Sequence, residues 1–236
     1  MLFSEKITIR IFVLCTKNMQ IQYYGLTCVK IVMRPEGRST EEMVIFFDPF
    51  EGDSKIRSVY GNADVVFLTS KKEYISLKGI KGNPIIFDMP GEYSYRSTHI
   101  IGFEGANEQK KSFGQNTVFL IESEDIQLAH LGMSGDLSQE TLSQLNGVDI
   151  VMIPIGGNGA YDAKGASDIL RIIEPKIVIP IYYAIASWEK EQLDSKELFY
   201  KEMGIKDKEI LAKFIVKAKD CGVRNGMDIV ELETGR

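Results

Sequence analysis

Histidine is almost missing from this chain: among 236 residues there are only His99 and His130. A catalytic zinc takes three protein ligands from His, Asp, Glu or Cys and keeps one position open, and a two-metal site takes more. Two histidines argue against a histidine-built metal centre. Cysteine is scarce as well. Cys15, Cys28 and Cys221 form an odd set with no Cys-x-x-Cys spacing. This excludes a disulfide framework and a cysteine zinc knuckle, and it fits a reducing cytoplasm. No apolar run approaches the ~18 residues that a membrane-spanning helix needs, so no membrane partner is expected. There is no linker rich in Pro, Gly or Ser, no charge block and no low-complexity stretch, which argues for one domain. The net charge is −5. Phosphate backbones want a basic face, so nucleic acid is an unlikely partner.

What is present is ordinary for a soluble globular protein: 44% hydrophobic and 26% charged residues. Periodicity divides the chain into two halves. The first reads as strands: Gln20–Met33, Met43–Phe47, Asp64–Leu68, Pro84–Phe87, Thr117–Glu122 and Ile126–Leu131. Arg34–Glu42 reads as a hairpin loop, Glu104–Gln115 as a flexible polar loop and Ser54–Asn62 as a short helix. The second half alternates strand and helix. Helices are expected over Ser138–Leu145, capped by Asp136 or Ser138, over Ala160–Glu174, and over Trp188–Met203. Strands are expected at Asp149–Ile153, Ile177–Ile181, Leu211–Ala218 and Asp228–Leu232. Such an order fits an α/β fold of two packed sheets with helices outside.

Residues 1–18 stand apart. Ile7–Cys15 is apolar but broken by Arg10, and no small-residue cleavage site follows. Two readings stand: an extra edge strand, or an extension upstream of a functional start at Met19. The second is favoured because the resemblance described next begins there, giving a single domain over 19–236.

Five stretches carry that resemblance: Met19–Ile31, Val44–Phe50 ending in Asp48-Pro49, Ala63–Ser70, His130–Asp136, and the pair Ile150–Gly157 and Lys176–Tyr183. In order and spacing they resemble the metallo-β-lactamase superfamily, in particular its small lactonase-like zinc hydrolases. The resemblance implies a four-layer αββα sandwich. It also implies metal ligands at strand ends, and there this chain departs. The family's Thr-His-x-His-x-Asp-His stands here as Thr69-Ser70-Lys71-Lys72-Glu73-Tyr74-Ile75, so the ligand positions hold Ser70, Lys72, Tyr74 and Ile75. His-Leu-Gly-Asp becomes His130-Leu131-Gly132-Met133, and Ile-Pro-Met-His-Tyr becomes Ile179-Pro180-Ile181-Tyr182-Tyr183. Met133 and Tyr182 therefore occupy the remaining ligand positions. No residue there keeps its type, and no metal or other cofactor is expected.

Other family-like residues survive with structural uses. Asp48 can accept backbone N–H bonds, Gly156 and Gly157 suit a turn, and Asp162 can cap a helix. Asp136 is either a cap or an acid lining the cleft, and His130 is a half-buried structural histidine sooner than a ligand. Lys72, or Lys71, is a candidate internal cation that neutralises Asp48 and Asp136 where a metal would stand; the plain alternative is a pair of solvated lysines. Ser70 with Lys72 could form a nucleophile and base, though no oxyanion-hole motif accompanies them. Tyr74, Tyr182 and Tyr183 either line a pocket or plug it.

Two functions follow as expectations. One is a non-catalytic protein on a metallo-hydrolase scaffold that binds a small molecule or assembles with itself; loss of every ligand type together favours it. The alternative is a hydrolase of a small ester, lactone or phosphoester, working through atypical ligands or without metal.

Overall fold

A computed structural model describes residues 18–35, 41–53, 55–107, 112–186, 188, 191–206, 208, 210–222 and 226–235. The reading of Ile7–Cys15 lies outside the described residues.

In chain order the strands of the first half are β1 (Met19–Gly25), β2 (Cys28–Met33), β3 (Met43–Phe47), β4 (Gly61–Asn62), β5 (Val65–Phe67), β6 (Ile80–Lys81), β7 (Ile85–Phe87), β8 (Gly91–Tyr95), β9 (Thr98–Asn107), β10 (Ser112–Ser123) and β11 (Ile126–His130). The second half adds α1 (Gln139–Leu145), β12 (Ile150–Pro154), α2 (Ala163–Ile173), β13 (Ile177–Ile181), α3 (Lys196–Glu202), β14 (Ile210–Leu211), β15 (Phe214–Val216), α4 (Ala218–Gly222), β16 (Asp228–Ile229) and β17 (Glu231–Leu232).

Two mixed sheets form the body. One runs β15-β1-β2-β3-β5-β7 and the other β16-β13-β12-β11-β10-β9-β8. Burial explains their placement. In β1 the residues alternate, with Met19, Ile21, Tyr23 and Gly25 buried between half-exposed neighbours, the pattern of a strand with one wet face. In β12 and β13 every residue is buried, as parallel strands covered on both faces require. The sheets meet through aromatic rings. Phe47 of β3 stacks on His130 of β11 at 4.2 Å between centroids, and Phe67 of β5 packs on Phe119 of β10 at 4.7 Å. Each fully buried phenylalanine contributes roughly 1.5–3 kcal/mol. The fold is the α/β sandwich of the metallo-β-lactamase type. Among the described residues every helix follows β11.

Helix ends follow their capping chemistry. Ser138 Oγ accepts from Thr141 N (3.1 Å) to start α1, so Ser138 and not Asp136 is the cap. Asp162 Oδ1 accepts from Gly165 N (2.7 Å) to start α2. The buried face of α2 is Ala166, Ser167, Leu170 and Ile173, with Ile169 half-buried beside it.

Three expectations fail. Of the loop expected at Glu104–Gln115, residues 104–107 belong to β9 and 112–115 to β10, whose register runs on from Glu122↔His99 to Ser112↔Asn107 through a shift between Phe113 and Asn116, while 108–111 lie outside the described residues. Strand pairing there outweighs polar composition. Of the helix expected at Ser54–Asn62, the described residues 55–62 form irregular chain and β4 instead, held by Asp53 N to Ile56 O (2.9 Å) and by Lys55 N to Asp53 Oδ1 (2.9 Å). Among the described residues of the helix expected over Trp188–Met203, only α3 is helical; Ser195 opens it, and Asp194 before it is tied in by Ala184 N to Asp194 O (2.9 Å) and Asp194 N to Gly156 O (2.9 Å).

Candidate functional site

The C-terminal ends of β3, β5, β11 and β13 converge on one rim of the sandwich. Strand ends of this kind gather loops into a crevice, the usual place for a ligand in an open α/β sheet.

Asp48 anchors the rim. It is buried, with φ +40°. Its Oδ1 accepts from Thr69 N (2.7 Å) and its Oδ2 from Thr69 Oγ1 (2.5 Å), which fixes the end of β5 against the end of β3. Burial raises its pKa to about 6, against the lowering by the two Thr69 bonds. Both oxygens are therefore already engaged by protein donors.

His130 is fully buried, not half-buried as expected. Its Nδ1 accepts from Gly132 N (3.1 Å), which leaves Nε2 to donate to the Thr27 carbonyl (3.0 Å). Both nitrogens are used in the neutral ring, and burial pushes its pKa down to about 3. The turn after it is locked by Asn116. Asn116 Nδ2 donates to Leu131 O (3.1 Å) and Ser134 Oγ (2.7 Å), and Asn116 Oδ1 accepts from Met133 N (2.8 Å). Gly132 sits in the middle at φ +59°. A Cβ there would lie 2.5 Å from Asn116 Oδ1 and 2.7 Å from Thr69 Oγ1, so glycine is required by space and by conformation.

The turn after β5 carries the residues at the resemblance's ligand positions. It is held down by Glu51 N to Tyr74 O (3.1 Å), Ser76 N to Pro49 O (2.8 Å) and the bridge Phe50↔Ile75. Ser70 bridges Asn116 through the backbone, while its hydroxyl is buried with no hydrogen-bond partner among the described residues. Tyr74 donates to Met133 Sδ (3.6 Å) and meets the Trp188 ring edge-on at 5.3 Å. Burial and then the Glu191 charge raise the Tyr74 pKa well above that of a free phenol. Ile75 is half-buried and Lys71 is exposed, outside the crevice.

Lys72 has a different partner from the one expected. Its Nζ lies 2.5 Å from Glu191 Oε1, not against Asp48 or Asp136, and the other Glu191 oxygen accepts from Tyr182 Oη. Tyr182 is fully buried at φ +50°, with its N–H on Leu26 O (2.7 Å). Burial and the Glu191 carboxylate hold its phenol protonated far above the usual range. Two donors, Lys72 from the turn after β5 and Tyr182 from the end of β13, thus meet at the Glu191 carboxylate.

Two further expectations are corrected by position. Asp136 is exposed, and its Oδ1 accepts from its neighbour Leu137 N (2.9 Å). Tyr183 faces Tyr23 (5.7 Å) and has Lys196 Nζ 5.6 Å over its ring, away from Glu191. Sequence reasoning missed Glu191, which sat inside an expected helix, and Trp188. An acid within Glu-Lys-Glu-Gln carries no local signal of its role.

The donor set fits a metal poorly. Lys72 is a cation, Tyr182 is a protonated phenol engaged with Glu191, and Met133 and Ile75 offer no hard donor. Among the described residues no group of three or more His, Cys, Asp or Glu side chains converges to hold an ion. A cavity of about 600 Å³ lies elsewhere, near the starts of β12 and β13, lined in part by His99, Glu122, Asp149 and Lys176.

Comparison with known proteins places this arrangement. Residues 20–182 match the family model of the beta-lactamase superfamily domain. A UPF0173 metal-dependent hydrolase of Carboxydothermus hydrogenoformans is 26% identical over 144 residues, covering 56% of this chain and 61% of that protein. Another of the same description from Anoxybacillus flavithermus is 24% identical over 200 residues, covering 70% of this chain and 86% of that protein. A crystal structure from Thermotoga maritima, described as a Zn-dependent hydrolase of the metallo-beta-lactamase superfamily, aligns with TM-score 0.70 and 25% identity over 91% of this chain and all of that one. These names correct the expectation that no cofactor is involved: relatives named metal-dependent imply metal use. The disagreement is with the ligand positions, where the residues of this chain are not the donors such an ion takes. By the match over 20–182, this chain belongs to the metallo-β-lactamase superfamily.

Proposed function

We propose that this chain is a hydrolase acting on a small ester, lactone or phosphoester, with its strand-end crevice as the active site and atypical groups in place of the superfamily's histidines. The observation that carries this reading is the preserved frame. Asp48 and Asn116 lock the ends of β3, β5 and β11 around the turn that carries Ser70 and Lys72; with Tyr182 after β13, these are the positions to which the resemblance assigns the superfamily's chemistry. The names of the relatives support it too. Physically, the Lys72 ammonium and the Tyr182 hydroxyl are fixed donors, and fixed donors stabilise the oxyanion that forms as water adds to an acyl or phosphoryl centre. The Ser70 hydroxyl is a further buried polar group without a partner among the described residues. Cys28 and Cys221, both buried, are not joined to each other, which is in keeping with a reducing, cytoplasmic setting.

The test is turnover of p-nitrophenyl acetate, γ-butyrolactone and bis-p-nitrophenyl phosphate, each with and without added Zn²⁺ or Mn²⁺. Sustained hydrolysis that falls at least tenfold in Tyr182→Phe supports the reading. No turnover with any metal rejects it.

A second reading, a non-catalytic binding module, is favoured by one observation: Lys72 and Tyr182 are both satisfied by Glu191, so these positions already form a closed polar network. Ligand binding without turnover would select it.

A further inference from the structure

We infer that the strand-end crevice is an oxyanion-binding site, and that Glu191 occupies it as the chain's own tethered anion. The ligand class is a carboxylate or phosphate group on a small molecule. The inference names the ligand of the site just described and rests on that placement, but its test reads binding and not turnover, so the two can fail separately.

Three observations carry it. First, two donors from distant parts of the chain converge on the two oxygens of one carboxylate. Lys72 Nζ comes from the turn after β5, Tyr182 Oη comes from the end of β13, and Lys72 and Glu191 are 119 residues apart. Two charge-assisted hydrogen bonds to a paired set of oxygens make a receptor for any group with that spacing, and carboxylate and phosphate both have it. Second, exposure is graded. The Lys72 side chain is 36% exposed and that of Glu191 only 11%. The crevice therefore opens to solvent on the Lys72 side, where an anion can approach. Third, the buried Ser70 hydroxyl, two residues before Lys72 in the same turn, has no hydrogen-bond partner among the described residues. The turn that supplies Lys72 thus keeps a polar group that Glu191 does not satisfy. A buried hydroxyl left alone is costly, and such costs persist where a ligand later relieves them.

A tethered competitor explains how the site can be both built and closed. Glu191 is part of the chain, so its carboxylate acts at an effective concentration of roughly millimolar or above. A free anion must displace it. An anion joined to the rest of a substrate can do so with binding energy from its other parts; inorganic phosphate alone competes poorly.

Removing the tethered group tests this. In Glu191→Ala the paired donors are vacant. Titration with inorganic phosphate is followed through Trp188, the only tryptophan, whose ring meets Tyr74 at 5.3 Å, and independently by calorimetry. We expect Glu191→Ala to bind phosphate at least tenfold more tightly than the wild-type chain, and Lys72→Met in the Glu191→Ala background to lose that gain. Acetate titrated in parallel separates a carboxylate site from a phosphate site, and saturable binding of either supports the inference. Glu191→Gln keeps the shape while removing the charge, so it serves as the second variant if Glu191→Ala is poorly folded by circular dichroism; it should show a smaller gain in the same direction. Equal affinity in wild type and both variants would overturn the inference, as would a gain that survives Lys72→Met.

Discussion

Asp48 and His130 place opposite pH dependences side by side beneath the same rim, and Asp48→Asn separates them. Burial raises Asp48 from 3.8 to about 6, so its folded form holds a proton that the unfolded form has released. Its contribution to stability is full below about pH 4 and is lost as pH rises through 6. Burial lowers His130 from 6.5 to about 3. Its folded form refuses a proton that the unfolded form takes, so its contribution is full above pH 6.5 and is lost as pH falls toward 3. At ~1.36 kcal/mol per pKa unit, Asp48 spans roughly 3 kcal/mol and His130 roughly 5. Between pH 4 and 6 their slopes oppose and nearly cancel, each being about 1.4 kcal/mol per pH unit. Asp48→Asn removes one slope while leaving an acceptor for Thr69 N. Urea unfolding from pH 4 to pH 7.5 should then show wild type gaining about 3 kcal/mol on the variant as pH falls. Every other titrating group cancels in that difference. A wild-type-minus-variant gap constant to within ~0.5 kcal/mol across this range would refute the burial assigned to Asp48.

Two further outcomes follow from contacts. Gly132→Ala should cost about 2–4 kcal/mol in chemical denaturation, because its Cβ would lie 2.5 Å from Asn116 Oδ1 at φ +59°; a change under 0.5 kcal/mol would mean that the turn is not locked as described. Glu231→Gln should cost about 1–3 kcal/mol at pH 7, since buried Glu231 holds Lys196 (2.5 Å) and Lys208 (3.0 Å), both partly exposed. Burial raises the Glu231 pKa, but Lys196, Tyr200 and Lys208 lower it further, so the cost should shrink as pH falls below about 4.5.

The parts of this molecule that were legible in sequence are those with local causes. Alternation in β1, unbroken apolar runs in β12 and β13, and Asp162 three residues before Gly165 each speak through neighbours a few residues away. The strand-end positions were legible through the resemblance, which located Ser70, Lys72, Tyr74, Met133 and Tyr182. Their partners were not. Lys72 was matched to Asp48 and Asp136 as acids near the crevice, yet Asp48 is taken by Thr69 and Asp136 lies on the surface. Glu191 reaches Lys72 across 119 residues, and nothing in its local sequence distinguishes it from a solvated helical acid. Likewise Tyr182 and Tyr183 are adjacent, but successive residues point to opposite sides: one reaches Glu191, the other Tyr23 and Lys196.

The central claim is that the strand-end crevice, and not the cavity near the starts of β12 and β13, is where this protein meets its ligand. Amide NMR during titration with butylphosphonate, in buffer supplemented with Zn²⁺, tests it directly. The account predicts saturable shifts gathered at Thr69–Ile75, Gly132–Ser134, Tyr182 and Glu191. Shifts gathered instead at His99, Glu122 and Lys176, or no saturable shifts at all, would contradict it.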